Sequence, residues 1–335
     1  MDMSTSYLGL QLRHPIIASA SPLTSTVDGI RALEEAGAAA VVMPSLFEEQ
    51  IHAEDTAYAM YTDHGSYSQS EAGSYFPELP NYDSGISGHL DTLQRAVRAV
   101  QIPVMASLNA VTPDGWINYA ARLEQAGAAA LELNMYFIPA DARMTSHEIE
   151  ANYVEVVRAV KRTVKIPISV KLSPFFSSIG NMAHQLIDAG ADGLVLFNRF
   201  YQPDFDLATL SVKAELQLSS SREAGPPLLW IALLAGEIKG SLAATSGVET
   251  AEQVVKYLLV GADAVMTTSA LLRHGPAYMR TLIVGLTTWL QENGHSSASA
   301  IRGARRVDRI NNVAGLLRAQ YMRVLTEYVP GKLAA

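Results

Sequence analysis

Short apolar runs alternate with amphipathic stretches along most of the chain. Four of these runs follow a helical stretch and an Ala-Gly-Ala or Val-Gly-Ala step, at residues 36–38, 126–128, 189–191 and 260–262. A glycine in this position is typical of a helix end in the left-handed conformation, where the absence of a Cβ removes the steric cost. The pattern therefore predicts four helices, each followed by a buried strand.

A second pattern marks further strands. Proline stands second in the apolar runs that begin at His14, Ile102 and Ile166, and proline is tolerated at a strand start because its missing N–H need not enter the ladder. Residues 241–244 supply one more strand. Eight buried strands that alternate with helices predict an α/β protein with a (β/α)8 TIM barrel. An open doubly wound sheet is the alternative, since the same glycine step joins helix to strand there.

One domain is predicted over residues 1–335, because barrels of this type commonly exceed about 250 residues as single units. The insertion at residues 44–88, after the second strand, is much longer than ordinary barrel loops. It is predicted to cover the catalytic face as a lid or wall, with a subunit contact as the alternative. A C-terminal helical segment is predicted at 300–330, where four arginines have helical spacing: Arg302, Arg305, Arg306 and Arg309.

Composition narrows the classes of partner and chemistry. A formal net charge of -8 disfavours a nucleic-acid partner and favours a small-molecule substrate. The absence of cysteine excludes disulfides, thiolate zinc sites, an internal iron–sulfur cluster and a cysteine nucleophile. The histidines lack metal-binding spacing, so no metal site is predicted. With no secretory signal pattern and no long apolar run, we expect a cytoplasmic protein without a membrane partner.

Polar residues follow nearly every predicted strand. In a barrel these strand ends converge on one mouth, so they outline a pocket. The candidates are Ser19, Ala20, Ser21, Ser45, Ser107, Asn134, Lys171, Asn198, Ser246, Gly247, Thr268 and Ser269.

Lys171 is informative because it ends an apolar strand, where burying an ammonium group is costly without a partner. Such a lysine can form a Schiff base, hold a phosphate or donate to a flavin, and a snorkelling lysine is the structural alternative. Small residues at Ser246, Gly247, Thr268 and Ser269, after the seventh and eighth strands, predict a phosphate cradle.

These residues resemble the FMN-dependent dihydroorotate dehydrogenases and the flavin domain of dihydropyrimidine dehydrogenase, over roughly residues 14–275. The most specific stretch is residues 246–250 followed by Gly261-Ala262, which is similar to the family's glycine phosphate turn, helix and strand start. Ser246 replaces the first glycine of that turn. The resemblance implies an FMN-dependent dehydrogenase that acts on CH–CH bonds in pyrimidine metabolism, forms a homodimer and reduces a soluble acceptor or a partner redox subunit.

The resemblance also implies positions for the cofactor. It puts Ser19, Ala20 and Ser21 beside the flavin ring, Lys171 at the N1–C2 edge of that ring, and Asn134 and Asn198 at the flavin or substrate. The remaining cofactor-binding candidates are Ser45, Ser246, Gly247, Thr268 and Ser269.

The loop after the fourth strand departs from the family pattern. That pattern has Cys or Ser as the base that removes a substrate proton, and the aligned residue here is Phe137. Tyr136 and Ser107 are weaker candidates for the base. Pro139 and Tyr75 stand where the family has substrate-binding asparagines, and Pro44 replaces a lysine. We therefore expect a substrate other than dihydroorotate, or a reaction that needs only hydride transfer.

Two other functions remain open at this point. The chain could be a flavin-free barrel that binds a phosphorylated metabolite, with Lys171 capturing an electrophile. It could also be a non-catalytic flavoprotein subunit of a complex, although polar strand ends favour a binding function.

Overall fold

The computed structural model of the protein describes residues 1–49, 86–110, 112–199, 203–213, 217–307 and 312–327. Most of the predicted insertion, including Tyr75, lies outside these residues.

The strands and helices are numbered here in chain order. The strands are β1 (Thr5–Tyr7), β2 (Leu10–Leu12), β3 (Ile16–Ala18), β4 (Val41–Phe47), β5 (Val104–Asn109), β6 (Leu131–Asn134), β7 (Ile168–Leu172), β8 (Gly193–Leu196), β9 (Asp204–Asp206), β10 (Ser211–Lys213), β11 (Ser241–Ala244) and β12 (Ala264–Thr267). The α-helices are α1 (Val27–Glu35), α2 (Ile86–Ala99), α3 (Pro113–Gln125), α4 (Ser146–Thr163), α5 (Ile179–Asp188), α6 (Gly225–Leu234), α7 (Ala251–Val260), α8 (Ser269–His274), α9 (Tyr278–Glu292), α10 (Ala298–Ile301) and α11 (Val313–Thr326).

Eight parallel strands form a closed barrel in the order β11-β12-β3-β4-β5-β6-β7-β8. The predicted TIM barrel is confirmed, and the open sheet is excluded because β3 pairs with both β12 and β4. The predicted helix ends are also confirmed: Gly37, Gly127, Gly190 and Gly261 all have positive φ, from 97° to 116°.

Strand β4 extends further than the sequence suggests. It continues to Phe47, so the predicted insertion from residue 44 begins inside the strand, and α2 already begins at Ile86. The register of β4 against β5 shifts between Val42 and Ser45. Pro44 lies within this irregularity and has no N–H for the ladder, which explains why the pairing is interrupted there. Beyond the shift, Ser45 lies opposite Ser107.

The antiparallel hairpin of β1 and β2 is not predicted by the sequence pattern. Tyr7 is fully buried and packs in one apolar cluster with Leu8, Leu12 and alternate residues of the barrel strands. The cluster fills the end of the barrel at which the strands begin. Burial raises the pKa of Tyr7, and the charge of Glu132 raises it further, so the phenol is neutral.

The C-terminal helical segment predicted at 300–330 is present in part as α11 (Val313–Thr326), but the predicted helix at Arg302 and Arg305 is wrong, because these residues lie in turns. Helix α10 ends at Ile301, and Gly303 has a left-handed φ of 70° that a continuing helix cannot adopt. Arg302 forms an ion pair with Asp263, and the Arg305 N–H donates to the carbonyl of Leu259. Arg309 lies outside the described residues.

The packing of His14 generates a prediction about pH. His14 is 5% exposed, lies 2.7 Å through Nε2 from the Gly37 carbonyl and accepts a hydrogen bond from Ile16 through Nδ1. Burial lowers its pKa from 6.5 to about 4. Between these values the unfolded chain binds more protons than the folded one, so stability falls as the pH decreases through this window.

We expect wild type to lose about 1–2 kcal/mol more unfolding free energy than His14→Gln between pH 7 and pH 5. Urea denaturation at both pH values measures this difference, with His14→Gln as the reference for all other titrating groups. Identical pH dependence in the two proteins would contradict the assignment.

Candidate functional site

The inward-facing residues of β5 and β7 become polar toward the ends at which these strands finish. Because alternate strand residues share a face, these residues point into the same space. They are Met105, Ser107 and Asn109 along β5, and Ser169, Lys171 and Ser173 along and after β7.

A first chain of hydrogen bonds links four of the barrel strands. The hydroxyls of Ser45 and Ser107 lie 2.8 Å apart, and Ser107 donates to Glu132 Oε1 at 3.3 Å. Lys171 Nζ lies 3.5 Å from the same carboxylate oxygen. Lys171 is 9% exposed and Glu132 is 2% exposed, so this is a buried ion pair.

A second chain of hydrogen bonds starts from Ser45. Asn134 donates through Nδ2 to Ser45 Oγ at 3.1 Å, and Asn198 donates to Asn134 Oδ1 at 2.7 Å. The backbone N–H of Asn198 donates to the Leu172 carbonyl at 2.7 Å, which holds this residue beside the end of β7. Four strands, β4 to β7, and the segment after β8 thus contribute to one continuous polar network.

A cavity of about 230 Å³ opens beside this network. Most of the predicted cofactor residues line it: Ser19, Ala20, Ser21, Lys171, Asn198, Ser246, Thr268 and Ser269. Ser45 and Asn134 connect to it through Asn198, and Gly247 lies in the turn that bounds it.

The turn after β11 has an unusual backbone. Ser246 and Gly247 have φ values of 73° and 71°, which is the left-handed region that favours glycine. The Ser246 hydroxyl donates to the Phe197 carbonyl at 3.0 Å, and Tyr257 donates its hydroxyl to the Ser246 carbonyl at 2.7 Å. These contacts hold a non-glycine residue in a strained conformation.

Three loops meet at Ser219. Its hydroxyl lies 2.9 Å from that of Ser269, and its backbone N–H donates to Ser269 Oγ at 3.1 Å. The Gly247 N–H points toward Ser219 Oγ at 3.4 Å. The hydroxyls of Ser219 and Ser269 and the Gly247 N–H are the kinds of group that bind phosphate oxygens.

Sequence reasoning missed three residues here. Glu132 carried the same signal as Lys171, a charged residue in an apolar strand. Arg199 directly follows Asn198, lines the cavity and lies 3.3 Å from Glu223. Ser219 begins a run of three serines, but only the fold brings it to Gly247 and Ser269.

Comparison with known proteins identifies the family of this chain. The dihydroorotate dehydrogenase family model matches residues 79–290. The chain belongs to the dihydroorotate dehydrogenase family. This assignment confirms the resemblance seen in the sequence and indicates a dehydrogenase that acts on CH–CH bonds.

Three relatives cover 90% of this chain each. A protein of Aeropyrum pernix, assigned as dihydroorotate dehydrogenase A (fumarate), is 28% identical over 314 residues and is covered over 97% of its length. Catalytic subunits of dihydroorotate dehydrogenase B (NAD(+)) from Pyrococcus abyssi and Methanothermobacter thermautotrophicus are 25% and 23% identical, with 98% and 97% of their lengths covered.

Phe137, which the sequence resemblance predicts at the position of the base, is exposed and apolar. Phe137 is 43% exposed and lines a second cavity of about 280 Å³. Aromatic and hydroxyl side chains, one isoleucine and one carboxylate also line this cavity: Tyr153, Phe175, Phe176, Ser146, Ser173, Ser177, Ile149 and Glu150. Ser107 is completely buried, with its hydroxyl bonded to Ser45 and Glu132, and the Tyr136 N–H donates to the Asn134 carbonyl.

Membrane-spanning helices and metal-binding clusters are both absent from the described residues. No described helix has the length and apolarity needed to cross a membrane. Within the same residues, no group of three or more His, Asp or Glu side chains is placed to hold a metal ion.

The turn at Gly247 yields a prediction. A Cβ there would lie 2.7 Å from the Ala224 backbone nitrogen, whereas a Cβ at Gly275 meets nothing within 4 Å. Both residues have positive φ, at 71° and 81°. Gly275→Ala should therefore lower the free energy of unfolding by roughly 1–3 kcal/mol, through backbone strain alone. Gly247→Ala should lower it more, because backbone atoms must also move apart.

Denaturant unfolding of both variants, without added ligand, measures the two losses. Equal losses would mean that the turn after β11 is not tightly packed against the Ser220–Ala224 segment.

Proposed function

We propose that this protein is an FMN-dependent oxidoreductase whose substrate is not dihydroorotate. The observation that carries the proposal is the cavity that joins the loops after β11 and β12 to Lys171 at the end of β7. It combines donors for a phosphate with the buried ammonium group of Lys171.

The residues present fit FMN in their chemistry. Thr268, Ser269, Ser219 and the Gly247 N–H offer donors to phosphate oxygens, and Arg199 adds a positive charge at the cavity wall. The Gly247 turn itself is held by close packing against the backbone of Ser220 and Ala224. Ser19 lies beside β12 because its N–H donates to the Thr267 carbonyl at 3.0 Å, so its side chain borders the same space.

Bound FMN supplies the two-electron chemistry that the protein's side chains lack. Lys171 would stabilise the negative charge that the ring gains on reduction. Asn134 and Asn198, fixed by their mutual hydrogen bond, would orient the ring or the substrate.

The second cavity supports a different substrate. Phe137 cannot accept a proton, and Pro139 also lines this cavity in place of a hydrogen-bonding amide. The surrounding aromatic rings, including an edge-to-face pair of Tyr153 and Phe176 at 5.5 Å, favour a substrate with an apolar or aromatic substituent.

The flavin-free alternative has less support. An amine that captures an electrophile must be neutral, whereas Lys171 is paired with a buried carboxylate.

We further propose that the protein is a cytoplasmic homodimer that passes electrons to a soluble acceptor or a partner redox subunit. Relatives named for fumarate and for NAD(+) illustrate both arrangements.

The proposed function predicts that the protein contains bound FMN. Purified protein should be yellow and should release FMN on denaturation. Lys171→Met should weaken FMN binding about 10- to 100-fold, because a hydrogen bond to a charged group contributes roughly 1.5–3 kcal/mol, and should lower the flavin potential. Lys239→Met, an exposed lysine before β11, is the matched control. A colourless protein that binds no added FMN would refute the proposal.

The second prediction concerns dihydroorotate. Anaerobic reduction of the bound flavin by dihydroorotate should be slow, because an absent general base removes about 10²–10⁴ in rate. Phe137→Cys should increase the rate of flavin reduction by less than about tenfold, because the amide side chains that bind the substrate are still absent. Phe175→Cys, at another residue that lines the second cavity, controls for an added thiol. Rapid reduction by wild type would show that another group, such as Tyr136 or Ser107, acts as the base.

A further inference from the structure

Glu132 lies inside the barrel, at the centre of the hydrogen-bond network. Its Oε1 accepts from Ser107 at 3.3 Å and lies 3.5 Å from Lys171 Nζ. Its Oε2 is buried and has no hydrogen-bond partner among the described residues. The carboxylate therefore has one oxygen that serves two donors and one that serves none.

This arrangement is a poor way to stabilise a fold. Removing two charges from water costs more than their attraction returns unless the remaining oxygens are also hydrogen-bonded, and an unpaired buried oxygen adds a desolvation penalty. Tyr7 lies below with a neutral phenol and does not supply compensating charge. The presence of a carboxylate in such surroundings is better explained by its effect on a neighbouring functional group than by a contribution to stability.

We propose that Glu132 is a positioning residue that holds the Lys171 ammonium at the cavity wall and sets how much positive charge the flavin experiences. This inference rests on the proposed FMN function. Lys171 lines the cavity, whereas Glu132 does not, so Glu132 acts through the lysine.

The direction of the effect follows from the charges. Reduction places negative charge on the flavin, which Lys171 stabilises and the Glu132 carboxylate opposes. Glu132→Gln keeps the shape and the acceptor oxygen but removes the negative charge. The variant should therefore favour reduced FMN over oxidised FMN by about tenfold, which corresponds to a potential about 30 mV higher for a two-electron couple.

Two further variants separate charge from shape. Glu132→Asp keeps the charge but shortens the side chain, so it should weaken FMN binding without raising the potential. Glu124→Gln is the matched control, because Glu124 also accepts hydrogen bonds beside β7, from the N–H groups of Lys165 and Ile166 at 2.7 and 3.0 Å, but at the opposite end of the strand. It should leave the potential unchanged.

The experiment is a redox titration of each FMN-loaded protein against a reference dye, with FMN affinity measured on the apoproteins. A raised potential in Glu132→Gln, with Glu124→Gln at the wild-type value, supports the proposal. If Glu132→Gln does not fold, Glu132→Asp decides, since unchanged FMN affinity there would overturn the proposal.

The failures of the two claims are distinguishable. Wild-type protein that binds FMN while Glu132→Gln retains the wild-type potential would overturn this inference alone. Wild-type protein that binds no FMN would overturn the proposed function, and this inference with it.

Discussion

The closed ring of parallel strands is the constraint on which the site depends. Because every barrel strand pairs on both sides, all eight must end at the same mouth, whatever their separation along the chain. Ser45 and Asn134 are 89 positions apart in sequence, yet a 3.1 Å hydrogen bond joins their side chains. Lys171 and Glu132 are 39 positions apart and form an ion pair in the same way. The curvature of the barrel is what brings Ser45 and Asn134 into contact, because β5 lies between their strands.

The barrel interior divides into two regions with different tasks. At the end where the strands begin, Tyr7 and the apolar residues around it form a dry, well-packed cluster that contributes hydrophobic stabilisation. At the other end, the interior holds an ion pair, hydroxyls and amides, whose burial is costly even when they are hydrogen-bonded. The apolar region offsets that cost, so a polar network suited to binding a charged cofactor can exist inside a stable core.

Much of the barrel was predictable because its signals are local. The glycine after each of four helices and the proline at three strand starts depend only on neighbouring backbone geometry, and the structure places strands where these signals predict them. Strand β4 was harder, because continuing past Pro44 requires a register shift against β5 that no local pattern encodes. The β1–β2 hairpin contains only three residues in each strand, and its reason for existing is the space inside the barrel that Tyr7 fills.

In the candidate site, too, some residues could be predicted from the sequence and others could not. Residues at strand ends, such as Lys171 and Asn198, were identifiable because barrel topology assigns strand ends to the mouth. Ser219 could not be identified in this way, since it lies in a connection whose path depends on contacts with Ser269 and the Gly247 turn. Glu132 is a third case, because its charge within an apolar strand was visible in the sequence while its pairing with Lys171 required the β6–β7 register.

The central claim is that the barrel mouth binds a flavin with its phosphate between the loops after β11 and β12. A crystal structure of the protein with FMN tests this most directly. We expect the phosphate to contact Ser269 and the Gly247 N–H, and the ring to lie within hydrogen-bond distance of Lys171. A phosphate bound elsewhere, or a flavin ring remote from Lys171, would contradict the account.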